Sequence, residues 1–294
     1  MTARIIDRGY RRYTGERTGV RGAVRTVWLN SVQRALGMRR NTWAKVLPVG
    51  MVLISYVPAI VFIGLVAFVP AEDFRRGPND VAGLVLPTYG TYFGFIASAL
   101  ILFVAFIGPE ILCTDRRTGM LGLYFASPLD RRTYLWGKAL ATATVAMIVT
   151  IGPPLLMLVA FVLQGQGPDG PVGVVLALVR ILGAGAAITV IYTAFSLGVS
   201  SLTDRKAFAA AGLILFFLMS VVVRKVLVEV IGLSPDCIVI DIVFFPLALV
   251  EKIHGESAHY SNVDLVPLVA AAVLWTIVWA SVAVLRYDRL TVTK

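Results

Sequence analysis

Few side chains in this 294-residue sequence could make or break bonds, and their spacing argues against it. The histidines, His254 and His259, stand five apart in H-G-E-S-A-H, so a helix would not place them on one face as H-E-x-x-H does. With no third imidazole, proton-relay and intramembrane protease schemes lose their usual parts. Cys113 and Cys237 form neither a CxxC nor a thiol–histidine grouping. Gly137-Lys138 is followed by Ala139, and Arg132 stands where a P-loop has its leading glycine. The chain is therefore not expected to hydrolyse ATP alone, and no G-x-S-x-G elbow offers a nucleophile. No cofactor or metal ligand set is expected on it.

The polar residues point to docking instead. Between residues 109 and 138, Asp115, Arg116 and Arg117 lead into Gly119, which frees the turn before an apolar stretch of Met120, Leu121, Leu123, Tyr124 and Phe125. Ser127-Pro128 ends that stretch, and Arg131 and Arg132 follow. This reads as a short helix over about 117–129. An exposed apolar knob rimmed by arginines suits another protein's surface; the alternative is that it folds back into the lipid interface.

The elements that position this loop follow from composition. The chain is 58% hydrophobic and 15% charged, with a mean hydropathy of +0.82. Soluble domains are about 25% charged, so apolar residues would outnumber the core positions of a water-soluble globule. A spanning helix needs about 20 mostly apolar residues. Six runs qualify: 46–69, 88–113, 134–163, 171–202, 207–223 and 263–285. The expected fold is an all-α polytopic membrane protein of six transmembrane helices with both termini on one side. Twenty-one of the 27 basic residues fall on the side holding the termini and the 114–138 loop, which predicts that this side is cytoplasmic. Eleven of them lie in residues 1–45, against Asp7 and Glu16. Beside a membrane span such a tail means anionic lipid rather than nucleic acid.

Two connections read as more than loops. Residues 20–41 place Val24, Val27, Trp28, Ser31, Val32, Ala35 and Leu36 at helical spacing, predicting an amphipathic helix in the cytoplasmic interface. Between spans five and six, the apolar stretch 237–250 is interrupted by Asp241 and Pro246. It is too short to cross, and predicts a re-entrant hairpin on the outer side over about 230–258. The organisation is thus a basic tail with its amphipathic helix (1–45), a transmembrane domain (46–285) and a C-terminal tail (286–294).

Charge inside the spans is scarce. Lys138 and Arg180 sit near span ends, where snorkelling to the interface is expected. Glu110 follows Gly108-Pro109, which should loosen the helix end. It reads either as a boundary carboxylate paired with an arginine or as a latch at a cytoplasmic gate. Pro58 and Pro153-Pro154 should bend their helices. Ser55, Tyr56, Tyr89, Thr91 and Tyr92 could line a polar part of a path. Small residues let membrane helices approach closely: the patch at 183–187 is expected to pack within the chain. The patch holding Ala207, Ala211 and Gly212 could pack there too or form a seam with a second chain.

The loop resembles the coupling-helix region of type-two ABC exporter permeases. The matching residues are Asp115, Arg116, Arg117, Gly119, Leu121, Leu123, Ser127, Pro128, Leu129, Arg131, Gly137 and Lys138, with Thr118-Gly119 where the family has Gly-Thr. The family's amphipathic "elbow" helix, six spans and outer hairpin agree with the layout along nearly the whole chain. The resemblance implies a membrane-spanning permease subunit in the cell membrane that forms its path as a homo- or heterodimer. Two separate ATP-binding subunits, which carry the ATP and Mg, would dock beneath it. It implies that Leu121, Leu123, Tyr124 and Phe125 anchor that docking, with Gly119, Met120 and Pro128 in the same surface. Arg116, Arg117, Arg131 and Arg132 would pair with acidic groups of the ATPase, and the fifth-span patch would form the dimer seam. The competing reading is a stand-alone secondary carrier or channel; the lack of mid-span carboxylates argues against a carrier.

Overall fold

The computed structural model describes residues 19–38, 42–68, 88–256 and 263–290. These form ten α-helices and, among the described residues, no strand. They are α1 (Gly19–Ala35), α2 (Thr42–Phe68), α3 (Tyr89–Arg117), α4 (Leu121–Phe125), α5 (Arg131–Thr150), α6 (Gly152–Leu163), α7 (Gly170–Ser201), α8 (Lys206–Lys225), α9 (Phe244–His254) and α10 (Leu265–Asp288). Six segments are long and apolar enough to cross a membrane: Lys45–Phe68, Tyr89–Arg117, Arg131–Leu163, Gly170–Ser201, Lys206–Val230 and Leu265–Asp288. They coincide with the six runs expected from the sequence.

α7 lies at the centre, packed by α10, α3, α5 and α9. Small residues set these approaches. A side chain at Gly108 of α3 would strike Ser196 of α7, whose hydroxyl donates to the Val104 carbonyl at 3.0 Å. Gly198 of α7 faces the Trp279 backbone of α10, and Gly185 backs onto Thr150 and Ile151. The 183–187 patch thus packs within the chain at Ala184 and Gly185, while Gly183 faces open space.

The third span breaks at Ile151, giving α5 and α6. Pro153 lacks the N–H that would bond the Val149 carbonyl. That carbonyl lies 3.2 Å from the Tyr92 hydroxyl, which is also 3.1 Å from the Ser55 carbonyl. Tyr92 and Ser55 are fully buried and support this break. Pro58, by contrast, lies inside an unbroken α2.

Pro109 does not loosen the end of the second span. α3 runs on to Arg117, because packing of Gly108 on Ser196 holds the turn that the proline weakens. The helix stops at Gly119, whose φ of +70° lets Met120 N–H reach the Asp115 carbonyl and its own N–H reach that of Arg116. This is a Schellman ending.

After α8 the chain continues through a π-helical turn, Val226–Val230, and a 3₁₀ turn, Pro235–Ile240. α9 then packs back into the bundle, with Phe245 and residues 247–250 buried. Asp241 makes this entry possible. Its buried carboxylate accepts from the Val243 and Phe244 N–H groups at the start of α9, and from Arg224 Nε at 2.9 Å. Pro246 sits in the first turn of α9, where a missing N–H costs nothing. At the other end Gly255, with φ +76°, terminates α9, and Glu256 accepts from Gly90 N–H and the Thr88 hydroxyl at the start of α3.

Candidate functional site

α4 is one turn and a half, held between the Schellman ending and a capping box in which Asp130 and Thr133 close the start of α5. Its two faces differ. Leu121, Tyr124 and Phe125 are half-buried; the Tyr124 and Phe125 rings lie 5.4 and 5.9 Å from that of Tyr134, which stacks on Tyr287 of α10. Leu123 is 68% exposed, and Gly122, Ala126 and Pro128 are exposed with it. The residues expected to form one docking surface therefore divide. Leu121, Tyr124 and Phe125 seat α4 on the bundle, Met120 is half-buried, and Leu123, Gly119 and Pro128 face outward.

The arginines divide too. Arg116 donates to the Ser201 and Thr203 carbonyls at 2.7 and 3.0 Å, satisfying the end of α7. Arg131 donates to the Asp288 carbonyl, and Arg132, 74% exposed, lies 3.5 Å from the Asp288 carboxylate. Arg117 is exposed. Phe125, Arg131, Arg132 and Asp288 line a shallow groove of about 560 Å³ beside α4.

Beneath α4 lies a feature that sequence reasoning missed. Asp115 is 0% exposed and Lys138 is 1% exposed. Lys138 Nζ lies 2.6 Å from Asp115 Oδ2 and donates to Ser31 Oγ of α1 at 2.8 Å. The Tyr134 hydroxyl donates to Asp115 Oδ2 at 3.0 Å, and Arg34 of α1 pairs with Oδ1. The ammonium also lies 5.3 Å from the Tyr134 ring centroid and 5.6 Å from that of Tyr124. α1, α3, α4 and α5 thus meet at one carboxylate. Lys138 does not snorkel as expected: a partner charge, a hydroxyl and two ring faces replace water around it. Arg180 does not snorkel either, donating to the His254 carbonyl of α9 at 3.0 Å. Burial disfavours the Arg34 charge, but the hydrogen bond and charge of Asp115 outweigh it and hold the guanidinium above its ordinary value.

Face arithmetic could have found this node. Asp115 lies three and four residues beyond Leu112 and Ile111, on the apolar side of α3. Ser31 falls between the buried Val27 and Ala35 at i, i+4 spacing, and Lys138 follows Tyr134 by four. Of the residues expected on the apolar face of an interfacial helix, Val27 is buried, and Val24, Trp28, Val32 and Leu36 are half-buried against the bundle. Gly137 of α5 admits it, since a Cβ there would sit 3.1 Å from Val27.

Glu110 pairs with Lys206 of α8 at 3.2 Å, a lysine where an arginine was expected. Both line a cavity of about 650 Å³ with Arg34, Leu47, Phe106 and Ala207. Ala207 and Ala211 are exposed along α8, and Gly212 is half-buried near Val199.

Six apolar spans with a helix-bearing loop between the second and third are the frame of a polytopic membrane protein. The family model described as ABC-2 family transporter protein matches residues 5–290. The chain belongs to this family and is a membrane subunit of an ABC transporter, a permease. No curated protein matches it individually.

Proposed function

We propose that the chain is the permease of an ABC exporter in the plasma membrane, with both termini cytoplasmic, driven by separate ATP-binding subunits that dock on α4. The observation that carries this reading is the two-faced α4: Leu123 stands outward, with Arg117 and Arg132 also exposed, while Tyr124 and Phe125 rest on Tyr134. The partner subunits hold the ATP and Mg. A nucleotide-dependent movement of the ATPase displaces α4, which alone gives the two nucleotide states different contacts with this chain. Tyr124 and Phe125 carry the displacement to Tyr134 and Lys138. The Asp115 node then moves α1, α3 and α5 as one body, because separating them would leave a buried charge unpaired.

Two such permeases, identical or not, pair along α8, where Ala207 and Ala211 leave room for a close helix crossing. Glu110 and Lys206 latch α3 to α8 at the mouth of the adjoining cavity. The apolar character of the spans favours a hydrophobic or amphipathic cargo. Co-purification tests the reading: a stoichiometric P-loop ATPase should accompany the tagged chain, and transport in proteoliposomes should require it. Transport by the purified chain without any ATPase would overturn it.

A further inference from the structure

We propose that the groove between α1 and α5 is a binding site for an anionic phospholipid, held by Arg21 and Arg25. The groove has a volume of about 370 Å³ and is lined by Val20, Arg21, Val24, Arg25, Trp28 and Leu140. Arg21 and Arg25 are exposed and four residues apart, so their guanidinium groups share one rim of α1. Among the described residues neither pairs with a carboxylate. That leaves two uncompensated positive charges over a floor of Val24, Trp28 and Leu140.

The site is built rather than incidental. α1 is fixed to the bundle through Val27, Ser31, Ala35 and Arg34. Trp28 Nε1 donates to Thr144 Oγ1 of α5 at 2.9 Å, which fixes the indole against the span. α5 belongs to a segment that crosses the membrane, and on it Trp136 is 68% exposed and Leu140 48% exposed, one turn apart. An exposed tryptophan near a span end marks the headgroup level, and Leu140 lies one turn deeper. Leu140 thus brings the apolar floor toward the acyl chains, and Arg21 and Arg25 rim the same groove. A soluble phosphate gains nothing from the floor. A zwitterionic lipid would bring its ammonium against two guanidinium groups. A lipid with an anionic headgroup satisfies both parts. The inference needs only that the spans cross a membrane; it does not depend on ATPase docking, so the two can fail separately.

The test uses the full chain with Trp43, Trp136, Trp275 and Trp279 changed to Phe, leaving Trp28 as the sole indole. It is reconstituted in phosphatidylcholine with a fixed fraction of brominated phosphatidylglycerol or brominated phosphatidylcholine. Brominated phosphatidylglycerol should quench Trp28 more strongly. Arg21→Gln/Arg25→Gln should abolish that difference, and Arg21→Lys/Arg25→Lys should keep most of it. Excess glycerol phosphate should leave it unchanged. Equal quenching by both lipids, a difference that survives in Arg21→Gln/Arg25→Gln, or its loss to glycerol phosphate would overturn the proposal. If the single-tryptophan chain does not fold, native mass spectrometry of the parent chain gives the same contrast. Phosphatidylglycerol affinity should fall about thirtyfold in Arg21→Gln/Arg25→Gln, and an unchanged affinity would overturn the proposal equally.

Discussion

The Lys138 ammonium lies 2.6 Å from the Asp115 carboxylate, with both side chains closed off from solvent. Removing one charge of such a pair strands the other and typically costs about 3–5 kcal/mol. Asp115→Asn or Lys138→Met should therefore lower the melting temperature of the detergent-solubilised chain sharply. Asp115→Asn/Lys138→Met together should cost less than the sum of the two, because the buried ammonium is then gone along with the carboxylate and only the half-buried Arg34 loses a partner. A strictly additive double variant would show that the pair does not act as a unit.

Gly198 offers a second measure of packing. A Cβ there would lie 2.9 Å from the Trp279 carbonyl oxygen, a backbone atom that cannot swing away. Gly198→Ala should destabilise the chain by about 1–3 kcal/mol, despite alanine's better helix propensity. Gly183→Ala on the same helix meets open space and should be neutral or slightly stabilising by the same thermal assay.

His254 ends α9 with its ring buried, Nδ1 near the Val250 carbonyl and the Tyr89 ring 5.5 Å away. Burial lowers its pKa below the ordinary 6.5; the Val250 carbonyl and Glu256 work upward against this, and Arg180 works downward with it. The folded hairpin thus binds this proton less well than the opened one. The stability that neutral His254 contributes is complete above about pH 6.5 and is lost as pH falls through the lower folded-state value. Protection factors over residues 244–254, corrected for the intrinsic base-catalysed rate, should fall between about pH 7.5 and pH 5. His254→Phe should flatten that dependence.

The charge asymmetry predicts which side each loop occupies. In a chain with Cys113→Ser and Cys237→Ser, a cysteine at Leu123 should react with a membrane-impermeant maleimide only after the cells are opened. A cysteine at Leu233, exposed on the opposite loop, should react in intact cells. The reverse pattern would invert the topology.

The spans were legible because membrane crossing demands long, almost uncharged runs, and residues such as those of 46–69 leave no other reading. The apolar stripe of α1 was legible from its 3.6-residue period, though not that it packs on the bundle, and the break near Pro153-Pro154 from the missing N–H groups. Tertiary partners were not. Lys138 reads as a snorkelling side chain until Asp115, 23 residues away, is known to stand opposite it. Asp115 in turn reads as one member of a charged cluster with Arg116 and Arg117, although its helix face is apolar. Pro109 reads as a helix end because the support from Ser196 comes from a distant span. The two faces of α4 were likewise hidden: only the fold decides that Tyr124 turns in and Leu123 turns out.

The central claim is that an ATP-binding subunit docks on the outward face of α4. The direct test is quantitative co-purification of the tagged chain from native membranes, comparing the parent, Leu123→Asp and Leu163→Asp. Leu163, 82% exposed, lies at the far end of the third span. The account predicts one P-loop ATPase per chain in the parent and in Leu163→Asp, and its loss in Leu123→Asp with the thermal stability of the chain unchanged. Full retention of the ATPase in Leu123→Asp would contradict it.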